Sequence, residues 1–463
     1  MRIELTFKPE TYSSQIDQAI LKLTPISISL RQLKNSLASI NRLPPEILAL
    51  IPMFRESEKD LISATAVCKY WRRTLISAPI LWNNIVCSEQ ASRDAVGRLV
   101  RMYFERSGSV PVNVQIHARV SRLLSPYTGR ISQLTIFLEN RSDLDEIAEH
   151  LSKSAPLIET VAIRVSHWHE RSLVLPPGFF EAFLSSARTL TLRGAILSPG
   201  PCRLSKLTRF TLKMCLANVT STILLDTLDQ MPLLQSFEAH LKCANEQDPV
   251  PGDRVVTLPH LEVLTVTIYG NWSVPVASPI LPALRLPRAR RVVLVSTGAF
   301  DAPLTPILPL SFKERLPSLS VLPKASVTLD KDFNIIKFFG SAESELKVCT
   351  RPIVPYSFDK FTFGGIPFDN VRKICVSFRS LSVDTVFFIN LLRSMRGLEY
   401  LKVFKNAVGP VASWIGEDEQ NGICPALTTL IIVDDKAKEC VEVLKQVRER
   451  AGVPIANVEI RYD

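Results

Sequence analysis

At 463 residues the chain is long enough for two or three domains, each with a sizeable core. Its 46% hydrophobic content is that of an ordinary globular protein, and no apolar run is long enough to span a bilayer. The formal charge of +10 raises nucleic acid as a partner. The densest cluster, Arg285, Arg288, Arg290 and Arg291, comes without a zinc pattern, an RNA-recognition signature or interleaved aromatics. It reads as a solvated basic edge, which argues against nucleic acid.

In chain order, the start Met1-Arg2-Ile3-Glu4-Leu5 brings an acid early and lacks the apolar core of a signal peptide. The nine cysteines stand singly, without any Cys-x-x-Cys, as expected of reduced thiols in the cytoplasm or nucleus. Residues 1–40 read as a helical segment. Ile16, Leu23, Leu30 and Leu37 recur every seven residues, with Ala19, Ile26, Leu33 and Ile40 at the complementary positions. That pattern suits a coiled coil. Pro25 interrupts it, which favours a helix packed on the adjoining module.

Residues 41–90 are the most informative stretch. Leu43-Pro44-Pro45-Glu46-Ile47-Leu48 opens it, Asp60-Leu61-Ile62 follows, then Val67-Cys68, Trp71-Arg72 and Pro79-Ile80-Leu81-Trp82. Pro45 suits a first helical position, and Glu46 complements the positive end of that helix. Leu43, Ile47, Leu50 and Phe54 share one helical face, widened by Leu48 and Ile51. Ser57-Glu58-Lys59-Asp60 reads as a capping box that opens a second helix. Pro52 lacks the N–H that would bond the Leu48 carbonyl, so the first helix should end or bend there. So few residues bury little area alone, which leaves part of the apolar surface for a partner.

This ordered set resembles the F-box, a small three-helix module. The resemblance implies a Skp-type adaptor as partner and, through it, a cullin-based ubiquitin ligase. It implies that Leu43, Pro44, Pro45, Ile47, Leu48, Ile51, Leu61, Val67, Cys68 and Trp71 divide between the module's core and its adaptor surface. Pro44, which precedes the helix, is the better candidate for an exposed contact, and Trp71 suits either role. Pro52 departs from the aromatic or aliphatic residue usual in the family. Downstream, Ala91–Arg106 reads as a helix, followed by a Ser107-Gly108-Ser109 turn and a strand at Val112–Ile116. Together they resemble the segment after the F-box in divergent fungal F-box proteins, and the strand is expected to cap the end of a solenoid.

Residues 91–463 are expected to form one domain, most of it built from a recurring phrase: apolar-x-apolar, a few residues after a leucine-like position. It appears at Leu134, Val161, Leu190, Phe210, Phe237, Leu264, Val292, Ile374, Leu401, Leu430 and Val458, mostly 27 to 29 residues apart. That period points to divergent leucine-rich repeats. Each phrase alternates as a half-buried strand, and helix-compatible segments such as Asp143–Ser152, Ser221–Gln230, Thr385–Arg393 and Lys436–Arg450 lie between phrases. The fold expected is α/β: a small all-α F-box module, then an irregular leucine-rich-repeat solenoid with a curved parallel sheet. Residues 300–368 fit least, with Ser326-Val327-Thr328-Leu329 as their one candidate strand, and read as a large loop or distorted repeats.

No constellation for catalysis emerges: no Gly-x-Gly-x-x-Gly, Walker loop, His-Glu-x-x-His or Gly-x-Ser-x-Gly. The pair His167/His169 lacks a third ligand with metal spacing, and Asp143, Asp145, Glu146 and Glu149 read as a solvated helix face. Neither cofactor nor metal is expected. The outward residue after each early phrase reads Arg164, Arg193, Lys213 and His240, a basic stripe suited to an acidic or phosphorylated segment of a protein substrate. Two functions stay open: a substrate receptor of a cullin ligase, and a non-catalytic repeat scaffold that does not direct ubiquitination.

Overall fold

The computed structural model describes residues 9–54, 58–87, 92–151, 155–166, 172–176, 185–198, 204–215, 220–242, 254–269, 280–296, 312–329, 334–340, 344–350, 368–378, 392–404, 407–408, 411, 424–434, 438–450 and 452–461. They fall into two units, Met1–Leu134 and Thr135–Asp463.

The first unit opens with helix α1, Pro9–Leu37, which runs through Pro25 without a break. Every described side chain from residue 12 to residue 40 is exposed, so α1 does not pack on the module as Pro25 had suggested. Helix α2, Pro45–Leu50, starts where the proline pair places it and stops at Leu50. The chain then tightens into a 3-10 turn, Ile51–Phe54, in which Pro52 is buried. This is the consequence expected of a proline that cannot donate to the Leu48 carbonyl. Helices α3, Glu58–Thr65, and α4, Lys69–Ile76, come next, then a 3-10 turn at Pro79–Trp82. The Ser57 cap lies outside the described residues.

Helix α5, Arg93–Arg106, starts at Ser92, whose Oγ accepts a hydrogen bond from the Ala95 N–H at 3.3 Å. Gly108, at φ +55°, makes the turn into the next strand. Strand β1, Asn84–Val86, was not anticipated and pairs in parallel with β2, Val112–His117. Trp82 joins the two halves of this unit. It is fully buried, donates from Nε1 to the Leu75 carbonyl at 2.8 Å, and meets Tyr103 of α5 edge-on at 5.1 Å. Residues 91–134 fall in the same unit as the helical module, and the division lies inside strand β3, Ile131–Leu138.

In the second unit the principal strands are β4, Thr160–Val165, β6, Thr189–Arg193, β8, Arg209–Cys215, β9, Ser236–Lys242, β11, Val263–Tyr269, and β13, Arg291–Ser296. Short strands β5, Leu173–Leu175, β7, Ala195–Leu197, β10, Val256–Thr257, and β12, Leu284–Arg285, pair separately as β5 with β7 and β10 with β12. The sheet continues through β14, Lys324–Leu329, β15, Asn334–Phe339, β16, Glu345–Thr350, β17, Lys373–Phe378, β18, Tyr400–Phe404, β19, Thr429–Val433, and β20, Asn457–Arg461.

The recurring phrase sets the register. Val161, Leu190, Phe210, Phe237, Leu264 and Val292 stand opposite one another on successive parallel strands, as do Ile374, Leu401, Leu430 and Val458. A tight turn precedes many of these strands. Its first residue (Ala155, Met231, Leu258 or Cys424) is buried and accepts from the N–H three residues on, with proline between, where its fixed φ suits the turn. One carbonyl then accepts two consecutive N–H groups of the next repeat: Thr208 from Gln235 and Ser236, Gln235 from Glu262 and Val263, Glu399 from Thr428 and Thr429. These backbone bonds stitch neighbouring repeats without an asparagine ladder. Among the expected helices, Ser142–His150, Ser221–Asp229 and Lys438–Arg450 form, whereas Thr385–Arg393 lies largely outside the described residues.

Between β13 and β17 the pattern changes. The sheet order there is β13-β16-β15-β14-β17, with β15 antiparallel to both neighbours and the flanking pairs parallel. The weak segment is thus a three-strand antiparallel insert that keeps register, with Val327 opposite Val376. At Gly340, just after β15, a Cβ would come within 2.8 Å of the Ser344 Cβ, so only glycine fits.

Candidate functional site

Two surfaces collect the residues that the sequence singles out. The first surrounds α2. Of the ten module residues, Leu48, Leu61 and Trp71 are buried, and Trp71 donates from Nε1 to the Asn41 Oδ1 at 2.7 Å. They hold the module together. Leu43 and Cys68 are half-buried, and the Leu43 carbonyl accepts from the Tyr70 hydroxyl at 2.9 Å. Pro44, Pro45, Ile47, Ile51 and Val67 face water. So do Leu50, Met53, Phe54 and Ile62, with Phe54 88% exposed.

Periodicity had grouped Ile47, Leu50 and Phe54 on one face, and that face points outward. The α-helix ends at Leu50, so the side chains beyond it leave the helical spiral. Leu48 alone of α2 is buried. This run of large apolar side chains forms a contiguous patch left in water on a short segment, the kind of surface that marks an interaction site. Leu50, Met53, Phe54 and Ile62 were not among the contact candidates, because helical spacing does not say which apolar side chains packing leaves exposed.

The second surface is the outward face of the early parallel strands. Arg164, Arg193 and Lys213 stand directly opposite one another on β4, β6 and β8. His240 is displaced from this row. A bulge lies between Leu212 and Cys215, where Met214 adopts φ +56°, so the ladder slips by one residue against β9. Glu238, the outward residue within the phrase of β9, was not singled out by its position yet organises this end of the stripe. Its Oε1 lies 3.4 Å from Lys213 Nζ and 2.9 Å from His240 Nε2, and the His240 ring meets the Tyr269 hydroxyl at 3.3 Å. Half of the stripe thus shares one carboxylate. Arg164 and Arg193 remain exposed, the former with its guanidinium 5.7 Å from the Phe137 ring.

Other candidates find structural roles or fall outside the described residues. Asp143 accepts from the Glu139 and Asn140 N–H groups, while Asn140 Oδ1 accepts from the Asp143 N–H, a reciprocal cap at the start of Ser142–His150. The Cys424 thiol is pushed up to about 12 by burial, opposed by the nearby Arg448 guanidinium, and the thiol therefore stays protonated at neutral pH. His167 and His169 lie outside the described residues. Among the described residues no three His, Cys, Asp or Glu side chains gather as a metal site, and no helix is long and apolar enough to cross a membrane.

Residues 40–88 match the family described as F-box-like. No curated protein matches the chain. Among solved structures, the chain is similar to that titled "Crystal structure of TLR13-ssRNA13 complex", at 13% identity and a TM-score of 0.32 over 76% of this chain and 45% of the other. The chain thus spans less than half the length of that protein.

Proposed function

We propose that this chain is a substrate receptor of a cullin-type ubiquitin ligase. Its F-box-like module would bind a Skp-type adaptor, and its repeat sheet would bind a protein substrate. The observation that carries the reading is the uncovered apolar surface around α2, inside the segment that matches the F-box-like family. F-box domains generally bind such adaptors. The chain would supply proximity, and bond formation would belong to a ubiquitin-conjugating partner. Affinity capture of the full chain should recover both adaptor and cullin. Recovery of adaptor without cullin under several salt conditions would instead favour the scaffold reading, and recovery of neither would sink the receptor reading.

The substrate side of the proposal is an acidic or phosphorylated segment lying along Arg164, Arg193 and Lys213. Rows on adjacent strands are about 4.8 Å apart, so three cations span about 10 Å, a few residues of extended peptide. Charge reversal at Arg193 and Lys213 (Arg193→Glu, Lys213→Glu) should reduce capture of an acidic substrate by at least about tenfold, because charge-assisted bonds are each worth roughly 1.5–3 kcal/mol. Removing the competing carboxylate, Glu238→Gln, should act in the opposite direction. Adaptor binding should be unaffected in both. Capture that is indifferent to these changes would place recognition elsewhere.

A further inference from the structure

Helix α1 pairs long reach with a face that nothing among the described residues of its own unit covers. Its 29 residues rise about 43 Å. The positions Ile16, Ala19, Leu23, Ile26, Leu30, Leu33 and Leu37 are all exposed, with Leu23 and Leu30 each 62% accessible. In proteins most helical stability comes from tertiary packing of one face, and among the described residues α1 receives none along this one. We propose that α1 is a self-association element, pairing in parallel and in register with the same helix of other copies of this chain.

The period of the stripe identifies the cover as another helix. A straight α-helix drifts by about 20° per heptad against a strict seven-residue repeat, so a stripe with this repeat stays on one seam only when helices supercoil. The spacing of three, then four, makes Ile16, Leu23, Leu30 and Leu37 the a positions and Ala19, Ile26 and Leu33 the d positions, with Ile40 continuing the series. Pro25 then falls at c, away from the seam, where its missing hydrogen bond leaves the Leu21 carbonyl on the watered side. This is why a proline that reads as an interruption does not break the pattern.

Self-pairing is also the arrangement that the flanking charges permit. In a parallel, in-register pair each g residue faces the e residue five positions on in its partner. Lys22 then faces Ser27, Ser29 faces Lys34, Gln15 faces Ile20 and Ser36 faces Asn41, so no like charges oppose one another. The flanks hold no acid to select a basic partner helix. Leu23 at a with Ile26 at d is a pair that favours more than two strands, and Ile20 at e widens the seam.

The test is the mass of the full-length chain in solution by light scattering over a range of concentrations. Wild type should give a mass of more than one chain. Leu23→Glu combined with Leu30→Glu should reduce it to a single chain. Leu21→Glu with Ile28→Glu, at outward f positions, should leave the assembly intact and so control for added charge. A single-chain mass for wild type at all concentrations, as expected if the face belongs to a different protein, overturns the proposal. So does a seam variant that stays assembled. Neither depends on whether the module binds an adaptor.

Discussion

Replacing Ile47 and Ile51 by aspartate should abolish adaptor binding at working concentrations while leaving the fold intact. The two side chains are 45% and 39% exposed in the free chain, so the change costs the core little. Surface substitutions of this kind typically move stability by no more than about 0.5 kcal/mol. In a complex, each isoleucine would lose part of the roughly 1.5–3 kcal/mol of apolar burial, and each carboxylate would be desolvated without a partner. Together these terms amount to several kcal/mol, or a loss of affinity on the order of 100-fold or more. Titration calorimetry with purified adaptor, alongside thermal unfolding, separates the two effects. Adaptor affinity within a few-fold of wild type in this variant would mean that α2 is not the contact surface. Leu48→Asp, one residue along the same helix, should instead unfold the module, because that side chain is fully buried.

The second large effect is expected at Trp82. Its indole is fully buried, bonds the Leu75 carbonyl, packs edge-on against Tyr103 and lies under the Arg106 guanidinium, which is 4.3 Å from the ring centroid. Truncation to alanine should cost about 3–5 kcal/mol from the cavity and lost contacts. A stable domain has only about 5–15 kcal/mol in total, so the first unit would be brought close to unfolding at physiological temperature. Trp82→Phe keeps much of the ring packing and loses one hydrogen bond to the Leu75 carbonyl, which still accepts from the Ala78 N–H at 3.4 Å, so only about 0.5–1.5 kcal/mol is expected. Urea unfolding followed by hydrogen exchange at α4 and α5 would measure both. Equal, small losses in the two variants would show that Trp82 does not join the helices as described. Because α5 depends on the same indole, a chain cut at residue 90 should be less stable than one that keeps residues 91–134.

The paired positions of the early strands show how much local sequence can carry. Their first residues are apolar because each occupies the same inward site, and a period near 28 returns the chain to that site one strand further on. Side-chain alternation and turn prolines are local properties, so the strands, their order and their register could be read along the chain. The same holds for the start of α2 at its proline pair and its end before Pro52. At β14 to β16 the local signal offered one candidate strand, Ser326–Leu329, and alternation does not carry strand direction. Only the pairing of β15 with both neighbours shows that this segment is antiparallel.

The functional surfaces divide along the same line. Leu48 and Ile47 are neighbours of equal hydrophobicity, and helical spacing offers both to the core. Only the packing of α2 against α4 chose Leu48, because a short helix has room to bury one side. Likewise Arg164, Arg193 and Lys213 follow from register alone, whereas the bulge before Cys215 and the carboxylate of Glu238 depend on how two strands meet. Sequence by itself determined the apolar patterns, the repeat and the helix boundaries, since those are set by residues within a few positions of one another. Tertiary structure decided which apolar face is core, which is left in water, and which charges share a partner, since each of those depends on residues that meet only after the chain has folded.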